Sequence, residues 1–472
     1  MLLVPRLDKV SKIPMYEQLY EYIKSEIISR HISENSRLPS IRQLADFLDI
    51  SATTVELAYN QLLDEGFIKS KFKSGFFVQT LPETIGLGVT SSGYKEEPQR
   101  YTPKKTYKYD FHLAKNDFTA FPFQTWRKLH NQMLNLEQKD LLFYGDPHGD
   151  EGLRIEISKY LHQYRGVHCS PGQIIVAADQ YILITFISAV LKKYSARIAF
   201  EDPSYVLMKS TFQQQGFHTI PISLEKDGIS IKKLYDSKAQ VVSVSPSHQY
   251  PKGMIMPISK RLSLLEWGEQ RDGFIIEDDY DGEFRYHGKP IPALQGLLPD
   301  SNVIYMSGFS QVLAPAFCIH YMVLPKTLLD DFMQLQQHLL FEQSSSPIHQ
   351  RTLQLFMENG YLTKHISKMR KIYRKKHDLI IDVIHHCFGE KAEIMGGNAG
   401  FHILLKVHST KSEKELIRLA NDSGIRIAST SYMWFSLPKE ERREFILGFT
   451  GIEMDKIEDG IKLLYDVWFE RE

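Results

Sequence analysis

Cysteine is nearly absent from the sequence. Its three examples, Cys169, Cys318 and Cys387, lie far apart, with neither CxxC spacing nor a paired framework. That pattern excludes a disulfide scaffold, argues against structural zinc and fits a reducing compartment. Net charge is absent too. Lys+Arg and Asp+Glu each number 57, so no global field advertises a nucleic acid or a membrane, and any DNA contact must be local. No apolar run approaches the ~20 residues of a membrane span. The opening MLLVPRLDKV also lacks a basic segment followed by a sustained apolar stretch, as a secretory signal would need. These absences lead us to expect a cytoplasmic chain without membrane association.

What is present is ample material for a core. With 472 residues, 43% of them apolar and 24% charged, the chain is long enough for two or three domains. From about Thr80 to Thr106 the text LPETIGLGVTSSGYKEEPQRYTPKK mixes turn formers and charges, which interrupts every periodic apolar face and reads as a linker. A small helical segment precedes it. After it, β-like runs such as QIIVAA, RIAFE, QVVSVS, GFIIED and NVIYMSG alternate with amphipathic stretches, the pattern of an α/β body with a mostly parallel sheet. From roughly Leu328 helices dominate, until GFHILLKV and FILGFT flank the helical KELIRLANDSG. The division expected is a head at 1–80, a linker at 81–106 and a body at 107–472. The body has a large part over about 107–345 and a smaller α+β part over about 346–472 that takes N-terminal contributions. We find no internal repeat.

In the head, Leu19, Ile23 and Ile27 recur at helical spacing within Met15 to Ile32, giving a first helix with one apolar stripe. A second starts after Ser40, with Gln43 three residues on as the partner of a capping box. Leu44, Ala45 and Leu48 form its buried face. A third helix starts at Ser51 and ends before Gly66, with Val55, Ala58, Leu62 and Leu63 pointing inward. Two short helices with so tight a turn suit a helix-turn-helix, whose second helix offers its first turn to the major groove. There Thr53 and Thr54 can read a base edge, Ser51 and the free amides can hold a phosphate, and Arg42 on the preceding helix can hold another. FIKSKFKSGFFV then reads as a hairpin turning at Lys73-Ser74-Gly75. Lys69, Lys71 and Lys73 alternate along it, so all three should leave one face as a basic wing for phosphate or minor-groove contact. The plainer reading of those lysines is protection of an edge hairpin.

Together, LPSIRQLADFLDISATTVELAYNQLLDEGFI and the closing KSGFFV resemble the GntR-type winged helix over about 65 residues. The resemblance implies a double-stranded DNA operator as partner. One departure is Ala52, where the family usually carries arginine. Residues 1–80 hold ten Lys+Arg and ten Asp+Glu, so binding should rest on few contacts per chain and gain from dimerisation.

In the body, four stretches resemble class I aminotransferases of fold type I, and specifically the MocR or GabR-like regulators that fuse them to a GntR-type head. They are Tyr144-Gly145-Asp146-Pro147-His148-Gly149 with Leu153-Arg154, Glu201-Asp202-Pro203-Ser204-Tyr205, Pro246-Ser247-His248-Gln249-Tyr250-Pro251-Lys252-Gly253, and Glu277-Asp278-Asp279-Tyr280-Asp281-Gly282-Glu283-Phe284-Arg285-Tyr286. The resemblance implies pyridoxal 5'-phosphate as the family's cofactor and a homodimer. Such a site needs a carboxylate for the ring nitrogen, an aromatic stack, phosphate donors and a lysine for the Schiff base. Asp278 matches the carboxylate and Tyr280 the phenol facing the ring oxygen. Tyr205 matches the stacking aromatic, and Tyr144 a tyrosine that reaches the partner's phosphate.

The remaining requirements fail. The family reads Ser-Lys-x-x-x-Pro, and this chain reads Ser310-Gln311-Val312-Leu313-Ala314-Pro315, so Gln311 stands at the lysine position. Cys318 stands where a phosphate-binding arginine is expected, and His320 where glycine or alanine is preferred. The helix start reads Ala177-Ala178-Asp179-Gln180-Tyr181, where the family favours a glycine followed by a small neutral residue, and an aspartate there would repel a phosphate. A glutamine amide is no usable amine nucleophile, so ordinary transamination loses both its anchor and its base. The reading is a DNA-binding transcription regulator, not an enzyme, whose body dimerises and senses a small-molecule effector without Schiff-base chemistry. The alternatives are a body that serves only as a dimerisation scaffold, an active pyridoxal phosphate-dependent aminotransferase with an incidental head, and a head that binds protein instead of DNA. A linker of about 25 residues is long enough, when extended, for two chains to exchange heads.

Overall fold

The computed structural model describes residues 5–82 and 106–470, apart from 114, 287, 289, 340–344, 398 and 437–440. The expected linker at 81–106 lies almost wholly outside the described residues. The chain forms two compact units, Met1–Lys104 and Lys105–Glu472.

The first unit is built from α1 (Met15–Ile28), α2 (Ile41–Leu48), α3 (Ala52–Asp64) and the hairpin β1 (Ile68–Lys71) and β2 (Gly75–Val78). α1 buries Leu19, Tyr20, Ile23 and Ile27. It stops short of the expected Ile32, because Arg30 takes a left-handed φ of 60° that ends helical geometry. The capping box forms as expected: Ser40 Oγ accepts from the Gln43 amide at 3.3 Å, and Gln43 Oε1 accepts from the Ser40 amide at 3.1 Å. Asp49 closes α2 at φ 52°, which turns the chain into α3 within a few residues. α3 buries Val55, Ala58, Tyr59 and Leu62, whereas Leu63 is only partly buried. Positions 55, 58, 59 and 62 share one stripe of a 3.6-residue helix, and 63 falls at its margin. Leu62 is fully buried, so Leu62→Ala would cost roughly 2–5 kcal/mol.

The second unit begins with β3 (Tyr109–Asp110), α4 (Phe123–Met133) and α5 (Glu151–Arg165). Its main sheet uses β4 (Ile174–Ala177), followed by α6 (Gln180–Leu191), then β5 (Arg197–Asp202), β6 (His218–Glu225), β7 (Gly228–Ile229), β8 (Val241–Val244), β9 (Phe274–Asp278), β10 (Val303–Gly308) and β11 (His320–Val323). The strand order is β4-β11-β10-β9-β8-β5-β6-β7. The four pairings that join β10, β9, β8, β5 and β6 are parallel. β11 runs antiparallel to both of its neighbours. Strands β4, β8 and β9 are buried throughout, which is why they read as continuous apolar runs, as strands covered on both faces do. The C-terminal part adds a sheet of β12 (Ala392–Met395), β13 (His402–Val407), β15 (Ala428–Ser429) and β16 (Glu444–Gly448) in the order β12-β13-β16-β15. β14 (Ile425–Arg426) pairs with β3, so the N-terminal end of the body is built into its C-terminal part.

Candidate functional site

The head presents α3 N-terminal end outward. Ser51, Ala52 and Thr53 are exposed, as is Arg42 in the first turn of α2. Ser51 caps α3: its Oγ takes the Thr54 amide at 3.1 Å and lies 2.7 Å from Thr54 Oγ1. Those two hydroxyls are therefore engaged with each other, and Thr53 is the threonine displayed. In the wing, Lys69 and Lys71 alternate on β1 as expected, but Lys73 does not continue the row. It sits in the turn at φ 54°, where the chain reverses, with Nζ 5.4 Å from the Phe72 ring centroid. Lys71 lies 4.5 Å over Phe77. Sequence reasoning passed over Phe72, which stands 88% exposed at the wing tip between two lysines. An exposed large apolar side chain on a hairpin tip was the missed signal.

The body's pocket follows from strand topology. Parallel strands β9 and β10 end side by side, with Met306 opposite Asp278. Because β11 is antiparallel, its first residue, His320, faces Gly308 on one side and Ala177 at the end of β4 on the other. Open α/β sheets bind ligands at this edge, beyond the carboxyl ends of the strands. Gly308 is required there, since a Cβ would come within 2.3 Å of the His320 ring.

A cavity of about 320 Å³ opens at that edge. It brings together Tyr205, Asp278, Tyr280, Ser310 and Gln311, along with Gln180, Tyr250, His320 and Tyr432, and Phe111, Leu113 and Ile446 supply apolar wall. Tyr144 and Cys318 are not in the lining: Tyr144 is 75% exposed, and Cys318 is exposed with its Sγ toward the Pro315 carbonyl at 3.7 Å. Tyr250, Tyr432 and the apolar wall were not singled out from sequence, because they arrive from remote segments.

The pocket's polar atoms are largely partnered within the chain. Gln180 Nε2 donates to Asp278 Oδ1 at 3.0 Å. Asp179 Oδ1 accepts the Ile182 amide at 2.9 Å, so a carboxylate occupies the N-terminus of α6. His320 Nδ1 lies 3.3 Å from the Ala178 carbonyl, and its Nε2 lies 2.9 Å from Ser310 Oγ. Burial lowers the His320 pKa, and a neutral ring that donates from Nδ1 must accept at Nε2. The Ser310 hydroxyl proton is thereby used. Tyr280's hydroxyl lies 3.0 Å from His248 Nδ1, which is 2.7 Å from Asp281 Oδ2. Asn116 Nδ2 holds the carbonyls of Ser310 and Gln311 at 2.8 and 3.2 Å. Gln311 Oε1 is buried and has no partner.

Burial pushes the Asp278 carboxyl up to about 7, with repulsion from Asp279 adding to it and the Gln180 hydrogen bond opposing it. Glu277 and Glu201 are likewise pushed up to about 7, chiefly by burial. Beneath the pocket Arg165 pairs with Asp279 at 2.6 Å and donates to Ser247 Oγ at 3.0 Å. The Asp146 to Arg154 motif is structural as well: Arg154 holds Asp146 at 3.0 Å and the Gly149 carbonyl at 2.9 Å.

Two families match this chain: the gntR family of bacterial regulatory proteins over residues 15–78, and aminotransferase class I and II over residues 110–441. The uncharacterized HTH-type transcriptional regulator YdeL of Bacillus subtilis is 39% identical, with 99% of each chain covered. The probable rhizopine catabolism regulatory protein MocR of Rhizobium meliloti is 30% identical over 97% of this chain and 94% of its own. The chain belongs to the MocR-like, GntR-type transcription regulators. Its body has the fold-type I aminotransferase fold, shared at a TM-score of 0.70 and 21% identity with a multiple substrate aminotransferase from Thermococcus profundus, over 78% of this chain and 93% of that one. Members of the gntR family bind DNA, and class I and II aminotransferases are a pyridoxal phosphate fold family. No helix among the described residues is long and apolar enough to cross a membrane.

Proposed function

We propose that this regulator binds its operator as a homodimer, and that its body is a sensor and not an enzyme. The observation that carries this reading is the pocket at Gln311. The side chain at the lysine position is an amide, and the groups that would grip a phosphate are already engaged. Asp179 fills the helix terminus, the Ser310 hydroxyl is hydrogen-bonded to His320, and Cys318 brings no guanidinium. Pyridoxal phosphate does not suit these residues: it would meet a carboxylate where it needs amides, and it would have no amine to bond. The body therefore responds to an effector held without a covalent bond.

Dimerisation is supported by Leu136, Leu142, Phe143 and Tyr144, large side chains exposed together between α4 and α5, more apolar surface than a lone chain usually leaves in water. On the head, Arg42, Ser51, Lys69, Lys71 and Lys73 are the proposed phosphate contacts and Thr53 the proposed base contact, with Thr54 acting through the Ser51 cap. We place the protein in the cytoplasm, with the domain limits given above and a linker that allows head exchange.

The test is a gel shift with the protein's own upstream region, comparing the native chain with a Lys71→Ala, Lys73→Ala variant, alongside light scattering. Native binding as a dimer that weakens in the variant is the expected result. Absence of DNA binding would favour a protein-interaction head. A covalent pyridoxal phosphate adduct that borohydride fixes in the native protein would revive the aminotransferase reading.

A further inference from the structure

We infer that the body's pocket is a receptor for a small aromatic or otherwise largely apolar amine, unphosphorylated and without a carboxylate, whose N–H group bridges Asp278 and Gln311. This inference rests on the sensing role proposed above and supplies its ligand class.

Charge sets the first limit. Among the described residues the cavity lining contains Asp278 and no lysine or arginine, and Asp179 precedes the lining residue Gln180 at the start of α6. Its histidines, His112 and His320, are both pushed toward the neutral form by burial. An anionic ligand would give up its hydration, find no compensating cation, and meet an Asp278 that is partly ionised at neutral pH, an unfavourable exchange in a partly desolvated site. A cation or N–H donor gains a partner instead.

Hydrogen bonding sets the second limit. Gln311 Oε1 is buried without a donor, and leaving such an acceptor unpaired is destabilising. A ligand N–H is the group that would relieve it. Asp278 spends Oδ1 on Gln180 yet remains part of the lining, and Gln311 lines the same cavity. Shape sets the third. Tyr205 and Tyr250 meet edge to face with centroids 5.9 Å apart, and Tyr432 lines the same cavity. Aromatic faces favour both flat rings and cations. About 320 Å³ of space suits a molecule of one ring with a short side chain.

The experiment is calorimetry on the full-length protein with phenethylamine, tyramine, 2-phenylethanol and phenylacetate, with each compound also added to an operator-binding assay. Saturable binding of the amines, with the alcohol weaker and the carboxylate absent, is expected. Asp278→Asn, which keeps the shape of the side chain, should weaken amine binding at least about tenfold, and Gln311→Leu about tenfold. Failure of both amines to bind, equal binding of phenylacetate, or unchanged amine affinity in folded Asp278→Asn and Gln311→Leu proteins would each overturn the assignment. Amine binding that leaves operator affinity unchanged would remove the sensing role and leave the site standing. Loss of operator binding from the native protein altogether would count against the regulator reading alone.

Discussion

Gln180 Nε2 donates to Asp278 Oδ1 at 3.0 Å, joining the first turn of α6 to the end of β9. The carboxylate at this position thus has an internal partner before any ligand arrives. Gln180 is also the group that pulls the Asp278 pKa down against burial and Asp279. Replacing it by leucine should raise the Asp278 pKa above about 7 and cost roughly 1–2 kcal/mol of stability. Carboxyl carbon NMR reports the first effect and urea denaturation the second. An Asp278 titration unmoved by the substitution would show that the bond does not form in solution.

The engaged phosphate donors make a graded prediction. A Gln311→Lys, Cys318→Arg variant restores the amine and one cation, but it leaves Asp179 on the helix terminus and His320 on Ser310. It should form no stable covalent adduct with pyridoxal phosphate. Adding Asp179→Gly and His320→Gly frees both sites, and an absorbance band that borohydride fixes should then develop. A full band in the double variant would mean that Asp179 and His320 give way readily and that the lost lysine alone silenced the pocket.

Much of this was legible in the chain because its signals are local. The capping box at Ser40 and Gln43, the continuous apolar run of β9 ending in Asp278, and Gln311 in a Ser-x-x-x-x-Pro frame can all be read within a few residues. Other features depend on pairing. His320 enters the pocket only because β11 runs antiparallel between β10 and β4, and no local pattern gives that direction. Tyr432 and Phe111 reach the same cavity from segments more than 300 residues apart in the chain. Lys73 was misplaced by carrying a strand's alternation two residues past the end of β1 into a turn, where φ changes sign.

Buried carboxyls give the stability a pH dependence of definite sign. Asp278 is held at about 7 in the folded protein, above its ordinary 3.8. Between about pH 4 and 7 the native state keeps a proton that the unfolded chain has released, so this group's contribution is fully present below pH 4 and is lost as pH rises through 7. Glu277 and Glu201, both at about 7, act in the same direction. Asp278→Asn should therefore lose less stability than the native protein between about pH 5 and pH 8 in chemical denaturation. Identical slopes for the two proteins would show that Asp278 titrates near its unperturbed value.

The wing yields a prediction that separates charge from shape. With Lys71 as a proposed phosphate contact, Lys71→Ala should weaken binding to specific and unrelated DNA alike and reduce the salt slope of log K by about 1. Phe72 carries no charge. At 88% exposure between two lysines, it is placed to enter a minor groove as an apolar wedge, as side chains of its type do in groove-bending proteins. Phe72→Ala should leave the salt slope unchanged, lower specific affinity about tenfold, and reduce any bend detected by circular permutation of the operator. A salt slope that falls in Phe72→Ala would assign the loss to displaced lysines. An unchanged affinity would mean that the ring stays in solvent, and the wing would then act through Lys69 and Lys71.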